Sequence, residues 1–292
     1  MAQPDTDVFV RLERFYDALP RPYARAEEHG GLVLFVREGE GWPYYARPII
    51  GADTPSAADI TAVRHRQREL GAPEAFEWVH ETTPDLLAVA RSAGLEVLLA
   101  PLLVLDPAAL VPDLPVTDGT IRLLDPADPG FATDLASSRT VANLGFSAPA
   151  TTNPLLNAVD GILITDVAGP PERDATTPTL SEALVESQRE RSASGAYVTA
   201  VVDSPTEGIL ATGVLMRAGD VAEIAGVATL PSARRRGYAS QLTAALARIA
   251  LTSGVHTVFL SAGTDDVARL YTKVGFRRVG TACIAEPAPA TL

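Results

Sequence analysis

The feature that most constrains this chain is a likeness to itself. When the 292-residue sequence is laid over itself at an offset of 181 positions, without a gap, two β-α-β-α-β runs align element for element. Thr83 falls on Thr264, Asp85 on Asp266, Leu86 on Val267, Val89 on Leu270, Ala93 on Val274, Gly94 on Gly275 and Leu95 on Phe276. A repeat of domain size in a chain of this length predicts two similar domains packed as a pseudo-dimer. The stretch Asp106 to Thr120, DPAALVPDLPVTDGT, has little periodicity and many turn formers, and it reads as a linker. It divides the chain near residue 117, into domains 1–117 and 118–292.

Hydrophobic spacing fills in the elements. The first half reads as strands at Leu32 to Val36 and Trp42 to Ile50, a helix at Ser56 to Leu70 and a strand at Phe76 to His80. A helix at Pro84 to Ala93 and a strand at Leu95 to Leu105 complete it. The second half begins with a strand at Ile121 to Leu124, a helix near Phe131 to Val141 and another around Leu180 to Arg191. Strands follow at Ala196 to Asp203, Gly208 to Met216 and Val221 to Thr229. The helix Tyr238 to Ser253 sets Ala239, Leu242, Leu246, Ile249, Ala250 and Ser253 on one face, and Gly254 stops it. A strand at Val255 to Ser261, a helix carrying Val267, Leu270, Tyr271 and Val274 on one face, and a strand from Phe276 to Ala285 end the chain. The fold class is α/β, with a twisted mixed sheet flanked by helices in each half.

Composition excludes several functions. Hydrophobic residues make up 47% of the chain, yet no apolar run approaches the roughly 20 residues that a membrane span needs, so a soluble protein with no membrane partner is expected. The opening residues MAQPDTDVFVRLERF lack an apolar signal core, which points to the cytoplasm. The lone Cys283 lies in an apolar run and reads as a buried strand thiol rather than a nucleophile. A formal charge of −12 disfavours nucleic acid and suits a cationic or amine substrate. The histidines and the cysteine show no metal-ligand spacing, so no metal is expected.

The chemistry concentrates in Val227 to Ser240, VATLPSARRRGYAS, where an apolar strand meets a helix through three arginines and a glycine. N–H groups at a helix start have no internal acceptor and sit at the positive end of the macrodipole, so they can cradle a pyrophosphate. Gly237 allows close approach, Ala239 extends the clearance, and the arginines add charge-assisted contacts.

The pattern Arg234-x-x-Gly237-x-Ala239 after that strand resembles the acyl-CoA pyrophosphate signature of the GNAT superfamily of N-acetyltransferases. Asp265-x-x-Ala268-x-x-Tyr271-x-x-x-Gly275-Phe276 resembles the family's second block, with aspartate where asparagine is common. The resemblance covers about residues 120 to 286 and reaches 30 to 106 only through the repeat. It implies acetyl-CoA as co-substrate, with Arg234, Arg235, Arg236, Gly237, Tyr238, Ala239 and Ser240 about its pyrophosphate, Val227, Ala228 and Thr229 along its pantetheine arm, and Asp265 at its second block. It implies Glu223 as the base that deprotonates the acceptor amine, directly or through water, and Tyr271 as the acid that protonates the departing thiolate. The segment Ala142 to Asp174 is implied to shape the acceptor pocket, with Phe146, Asn153 and Asp166 as candidate contacts.

The expected activity is direct acetyl transfer in a ternary complex to a small-molecule amine, by a pseudo-dimeric monomer or a homodimer. Transfer of another acyl group, acylation of a protein amine, and a non-catalytic CoA-binding regulatory module are the alternatives. At the offset of 181, Arg234 becomes Asp53, Gly237 becomes Ser56 and Tyr271 becomes Ala90, so the first copy is expected to bind no CoA.

Overall fold

The computed structural model describes residues 4–41, 43–113, 116–148, 158, 159, 162, 163 and 168–288. Helix α1 (Pro4–Ala18) is followed by β1 (Ala24–His29), β2 (Leu32–Arg37), β3 (Ala46–Pro48), α2 (Ala57–Glu69), β4 (Phe76–Val79), α3 (Leu86–Ser92) and β5 (Leu95–Leu105). Then come β6 (Thr120–Leu123), α4 (Phe131–Ser147), the short β7 (Ala158–Val159) and β8 (Ile162–Leu163), α5 (Pro170–Thr176), α6 (Glu182–Ala193), β9 (Tyr197–Ser204), β10 (Gly208–Ala218) and β11 (Val221–Thr229). Helix α7 (Tyr238–Thr252), β12 (Thr257–Ser261), α8 (Asp265–Val274) and β13 (Phe276–Pro287) finish the chain. Among the described residues no helix is long and apolar enough to cross a membrane.

These elements fall into two units that do not follow the linker. The first comprises Met1–Ala109, Arg217–Ala222 and Val255–Leu292; the second comprises Leu110–Met216 and Glu223–Gly254. The expected domain 118–292 is therefore not one unit, because β12, α8 and β13 group with the first half. The reason is the ladder of β13. It pairs antiparallel with β5 from Phe276↔Leu105 to Pro287↔Leu95, and on its other edge with β4 from Ala282↔Val79 to Ala285↔Phe76.

In the first unit the strands run β1-β2-β3-β4-β13-β5-β12. All the pairs are antiparallel except β3 with β4, which meet in parallel at Ala46↔Phe76. One core joins Leu32, Leu34, Phe76, Trp78, Leu95, Cys283 and Ala285 on strands with Ile60 and Val63 of α2 and Leu86 and Ala90 of α3. Cys283 is fully buried there, and burial pushes its thiol up to about 12, as expected of an inert strand cysteine. Helix α1 contributes Leu12, Phe15 and Tyr16, spaced for one helical face. Phe15 and Tyr16 meet Phe259 edge-on, with centroids 5.0 and 5.4 Å away. Beside them Arg47 is held by Glu13 at 3.0 Å and Glu77 at 3.4 Å and lies over the Tyr16 ring. Glu13 also accepts from the Val79 N–H and the Thr82 hydroxyl. Desolvation raises the pKa of Glu77, against the pull of Arg47, which limits the charge stored in this core.

Both α1 and β1 lie where the sequence pattern gave no element. The stripe Leu12, Phe15, Tyr16 was available for α1. By contrast β1 reads ARAEEH, without apolar alternation. It is a sheet-edge strand, held by pairing to β2 and by Glu27, which accepts from Arg66 at 2.8 Å and Arg25 at 2.6 Å.

The repeat is visible in element positions: α2, β4 and β5 begin 181 residues before α7, β12 and β13. The glycines after α3 and α8, Gly94 and Gly275, both have positive φ, which ends each helix at the same point of the repeat.

The second unit orders its strands β11-β10-β9-β6, with β9 antiparallel to both β10 and β6. Helix α4 runs six residues beyond its expected end at Val141. Four of the six residues in the extension, ANLGFS, are weak helix formers, so tertiary contacts help to hold it.

Candidate active site

The second unit carries the arginine loop. Strand β11 buries Val221, Ala222, Glu223 and Ile224 in succession, with Glu223 only 7% exposed. Gly226 then takes φ +61, a left-handed residue inside a strand, which re-aims the backbone between Glu223 and Val227–Thr229. After Leu230 a single 3₁₀ turn, Pro231–Ala233, leads into the loop. Arg235 and Gly237 have φ +68 and +83, so the chain reverses its hand twice within three residues before α7 begins.

Gly237 is the N-cap of α7 and supplies no capping side chain. The N–H groups of Tyr238, Ala239 and Ser240 have no acceptor among the described residues. A Cβ placed on Gly237 would meet nothing closer than Gln241, 3.9 Å away, so the space above this helix start is open. Open space, unsatisfied donors and a positive helix end together fit a pyrophosphate.

The three arginines divide their work. Arg234 Nη2 donates to the carbonyls of Gly145 at 2.7 Å and Ala148 at 2.6 Å. Arg236 pairs with Glu207 at 3.4 Å on the surface. Arg235 is exposed and has no carboxylate partner among the described residues, which leaves its charge available to an anion. Tyr238 is 1% exposed and its phenol donates to Thr117 O at 2.9 Å. Its side chain is a structural anchor, and only its backbone N–H is available to a ligand. Ala239 and Ser240 are half-buried in the first turn.

Tyr271 and Asp265 belong to the first unit, on α8. Thr264 caps that helix by accepting from the Val267 N–H. Asp265 is exposed and pairs with Arg278 at 3.1 Å, which commits its carboxylate to a surface ion pair. Tyr271 is 7% exposed, with its ring edge-on to Phe276. Burial pushes its phenol up to about 12, so it remains protonated across the physiological range.

In the first copy the same helix start is closed. Ser56 caps α2 by accepting from the Asp59 N–H, and the Asp59 carboxylate accepts in return from the Ser56 N–H at 2.8 Å and the Ser56 hydroxyl at 2.9 Å. Those bonds hold the Asp59 carboxyl below its usual range, so a resident anion already occupies the positive end of α2.

Phe146 is 64% exposed near the end of α4, whereas Asn153 and Asp166 lie outside the described residues. Among the described residues no group of three or more His, Cys, Asp or Glu is placed to hold a metal. Sequence reasoning missed two glycines, Gly226 and Gly145. Each stands inside an element that disfavours glycine, which is the signal that could have marked them.

Residues 167–276 match the model of the acetyltransferase (GNAT) family. No protein with a curated description matches the sequence. Among solved structures, a GCN5-related N-acetyltransferase from Kribbella flavida has a TM-score of 0.65 at 19% identity, over 97% of this chain and 96% of that one. A GCN5-related N-acetyltransferase-like protein from Streptococcus suis has a TM-score of 0.52 at 13% identity, over 96% and 98%. These likenesses concern the fold and extend along nearly the whole chain. The arginine loop, Glu223 and Tyr271 all fall within the segment 167–276 that matches the GNAT acetyltransferase family model.

Proposed function

We propose that the protein transfers the acetyl group of acetyl-CoA to the amine of a small molecule, by direct attack in a ternary complex. The observation that carries this reading is the uncapped start of α7, with its open Gly237, inside the family-matched segment. The N–H groups of Tyr238 to Ser240 and the side chain of Arg235 bind the pyrophosphate, and Val227 to Thr229 receive the pantetheine arm. Glu223 takes the proton from the acceptor amine, directly or through water. The amine nitrogen attacks the thioester carbonyl, the carbon–sulfur bond breaks, and Tyr271 gives its proton to the CoA thiolate. A net charge of −12 favours the approach of a cationic acceptor. We read residues 1–117 as a degenerate copy with a structural role, on the strength of the closed helix start at Ser56 and Asp59.

Release of free thiol from acetyl-CoA in the presence of a panel of small amines tests the activity. Acetyl-CoA at about 100 times its dissociation constant should stabilise the fold by roughly 2.7 kcal/mol, visible as a rise in Tm. Gly237→Glu should abolish that rise, because a side chain there is strained at φ +83 and its carboxylate would repel phosphate. An unchanged rise in the variant would remove this loop from the cofactor site.

A further inference from the structure

Arg234 opens the phosphate loop, yet its two carbonyl partners lie on another element, at the C-terminal end of α4. These are helix-end carbonyls that lack partners of their own, at the negative end of the macrodipole, where a guanidinium is favoured. The same end of α4 rests directly on strand β11. A Cβ on Gly145 would lie 3.0 Å from Ala228 Cβ, 3.1 Å from Thr229 O and 3.4 Å from Thr229 N. Two of those three atoms are backbone and cannot step aside. Two contacts at the C-terminal end of α4 thus lead to the proposed cofactor site. Phe146 sits between them in sequence, with 64% of its surface exposed.

We propose that Arg234 is a positioning residue that couples occupation of the phosphate loop to the order of α4 from Ala142 to Ala148, and so sets the position of Phe146. This rests on the reading of the loop as the CoA site. Desolvation by burial lowers the pKa of Arg234, and an anion bound nearby would favour its charged form. A phosphate on the neighbouring N–H groups stabilises both the loop and the charge that holds α4. The coupling is reciprocal: tightening α4 strengthens CoA binding by the same factor.

Coenzyme A itself is the probe, and amide hydrogen exchange of the full chain is the measurement. In the wild type, saturating CoA should slow exchange in the peptide covering residues 142–148 by about tenfold, within the usual range of coupling factors. Arg234→Gln keeps the backbone donors but shortens the reach to the α4 carbonyls. By that reciprocity it should lose the protection and weaken CoA binding by no more than the lost coupling factor, about tenfold, and Arg234→Lys should restore part of both. Gly145→Ala, which leaves every charge in place, should also lose the protection by lifting α4 from β11.

If Arg234→Gln weakens CoA binding by much more than about tenfold while Gly145→Ala does not, Arg234 is a phosphate ligand and the proposal falls. Protection that survives in both Arg234→Gln and Gly145→Ala overturns the coupling and leaves the CoA reading intact. Absence of any CoA effect in the wild type overturns both.

Discussion

In the proposed mechanism the useful form of Tyr271 is the protonated one, and burial keeps it in that form. A phenol pushed up to about 12 holds its proton at every pH where an acyltransferase works, so it can act as an acid and not as a base. Tyr271→Phe should lower kcat by about 10²- to 10⁴-fold while leaving acetyl-CoA affinity unchanged. Retained activity would remove Tyr271 from the mechanism. Linkage gives a second reading of the same group. Its folded pKa lies above the unfolded value of about 10, so its contribution to stability is complete below pH 10 and is lost as pH rises toward 12. Between those values the wild type should lose Tm relative to Tyr271→Phe, and parallel melting curves would contradict the buried phenol. Glu223→Gln keeps the shape of its side chain and removes its basicity, so activity should recover in part at high pH, where the acceptor amine is already neutral. A pH profile of kcat/KM that scales down without changing shape would point to deprotonation by solvent instead. At this scale the sequence marked the helix start that lacks a capping side chain but not the direction of the loop's side chains. Nothing in the pattern shows that Tyr238 turns inward to Thr117, or that Arg234 reaches α4 instead of the solvent.

Helices α2 and α7 stand at equivalent points of the repeat and begin in opposite ways. One is closed by Ser56 and Asp59, and the other is left open by Gly237. The difference is one of hydrogen-bond accounting: the donors at the start of α2 already have acceptors, so a phosphate there would have to displace a carboxylate. Calorimetric titration of the full chain with CoA should return one site. Two sites, with the second lost on mutation of Asp53 or Ser56, would refute the structural role of the first copy. The positions 53, 56 and 90 were enough to expect this, because the repeat fixes which residues correspond. Strongly periodic elements such as α2, β5, β11 and α7 were equally legible, since burial of one face writes its period into the sequence. Strand β1 was not, because a charged edge strand owes its form to β2 and to the Glu27 ion pairs. Nor was the end of α4, which depends on a glycine that packs and on an arginine 89 residues away along the chain.

The linker near residue 117 suggested a cut that the folded chain does not respect. Cutting there would separate β13 from both of its neighbours, β4 and β5, and would strand its buried residues Phe276, Ala282, Cys283 and Ala285. Strand β12 would lose its pairing with β5 at Phe259↔Val104 through Ser261↔Leu102, and Phe259 would lose the aromatic contacts of α1. Each fully buried large apolar side chain contributes about 1.5–3 kcal/mol, so exposing Phe259 and Phe276 alone costs about 3–6 kcal/mol, a large share of the 5–15 kcal/mol that separates a typical fold from its unfolded chain. The fragment 118–292, although it contains the whole GNAT segment, should therefore fail to melt cooperatively and should show no thermal shift with CoA. Coexpression with 1–117 should restore both, since the missing partners β4, β5 and α1 are then present in trans. A cooperative transition and a CoA shift in the isolated fragment would mean that the unit 118–292 folds by itself, and that the pairing of β13 with β4 and β5 is secondary to its own core.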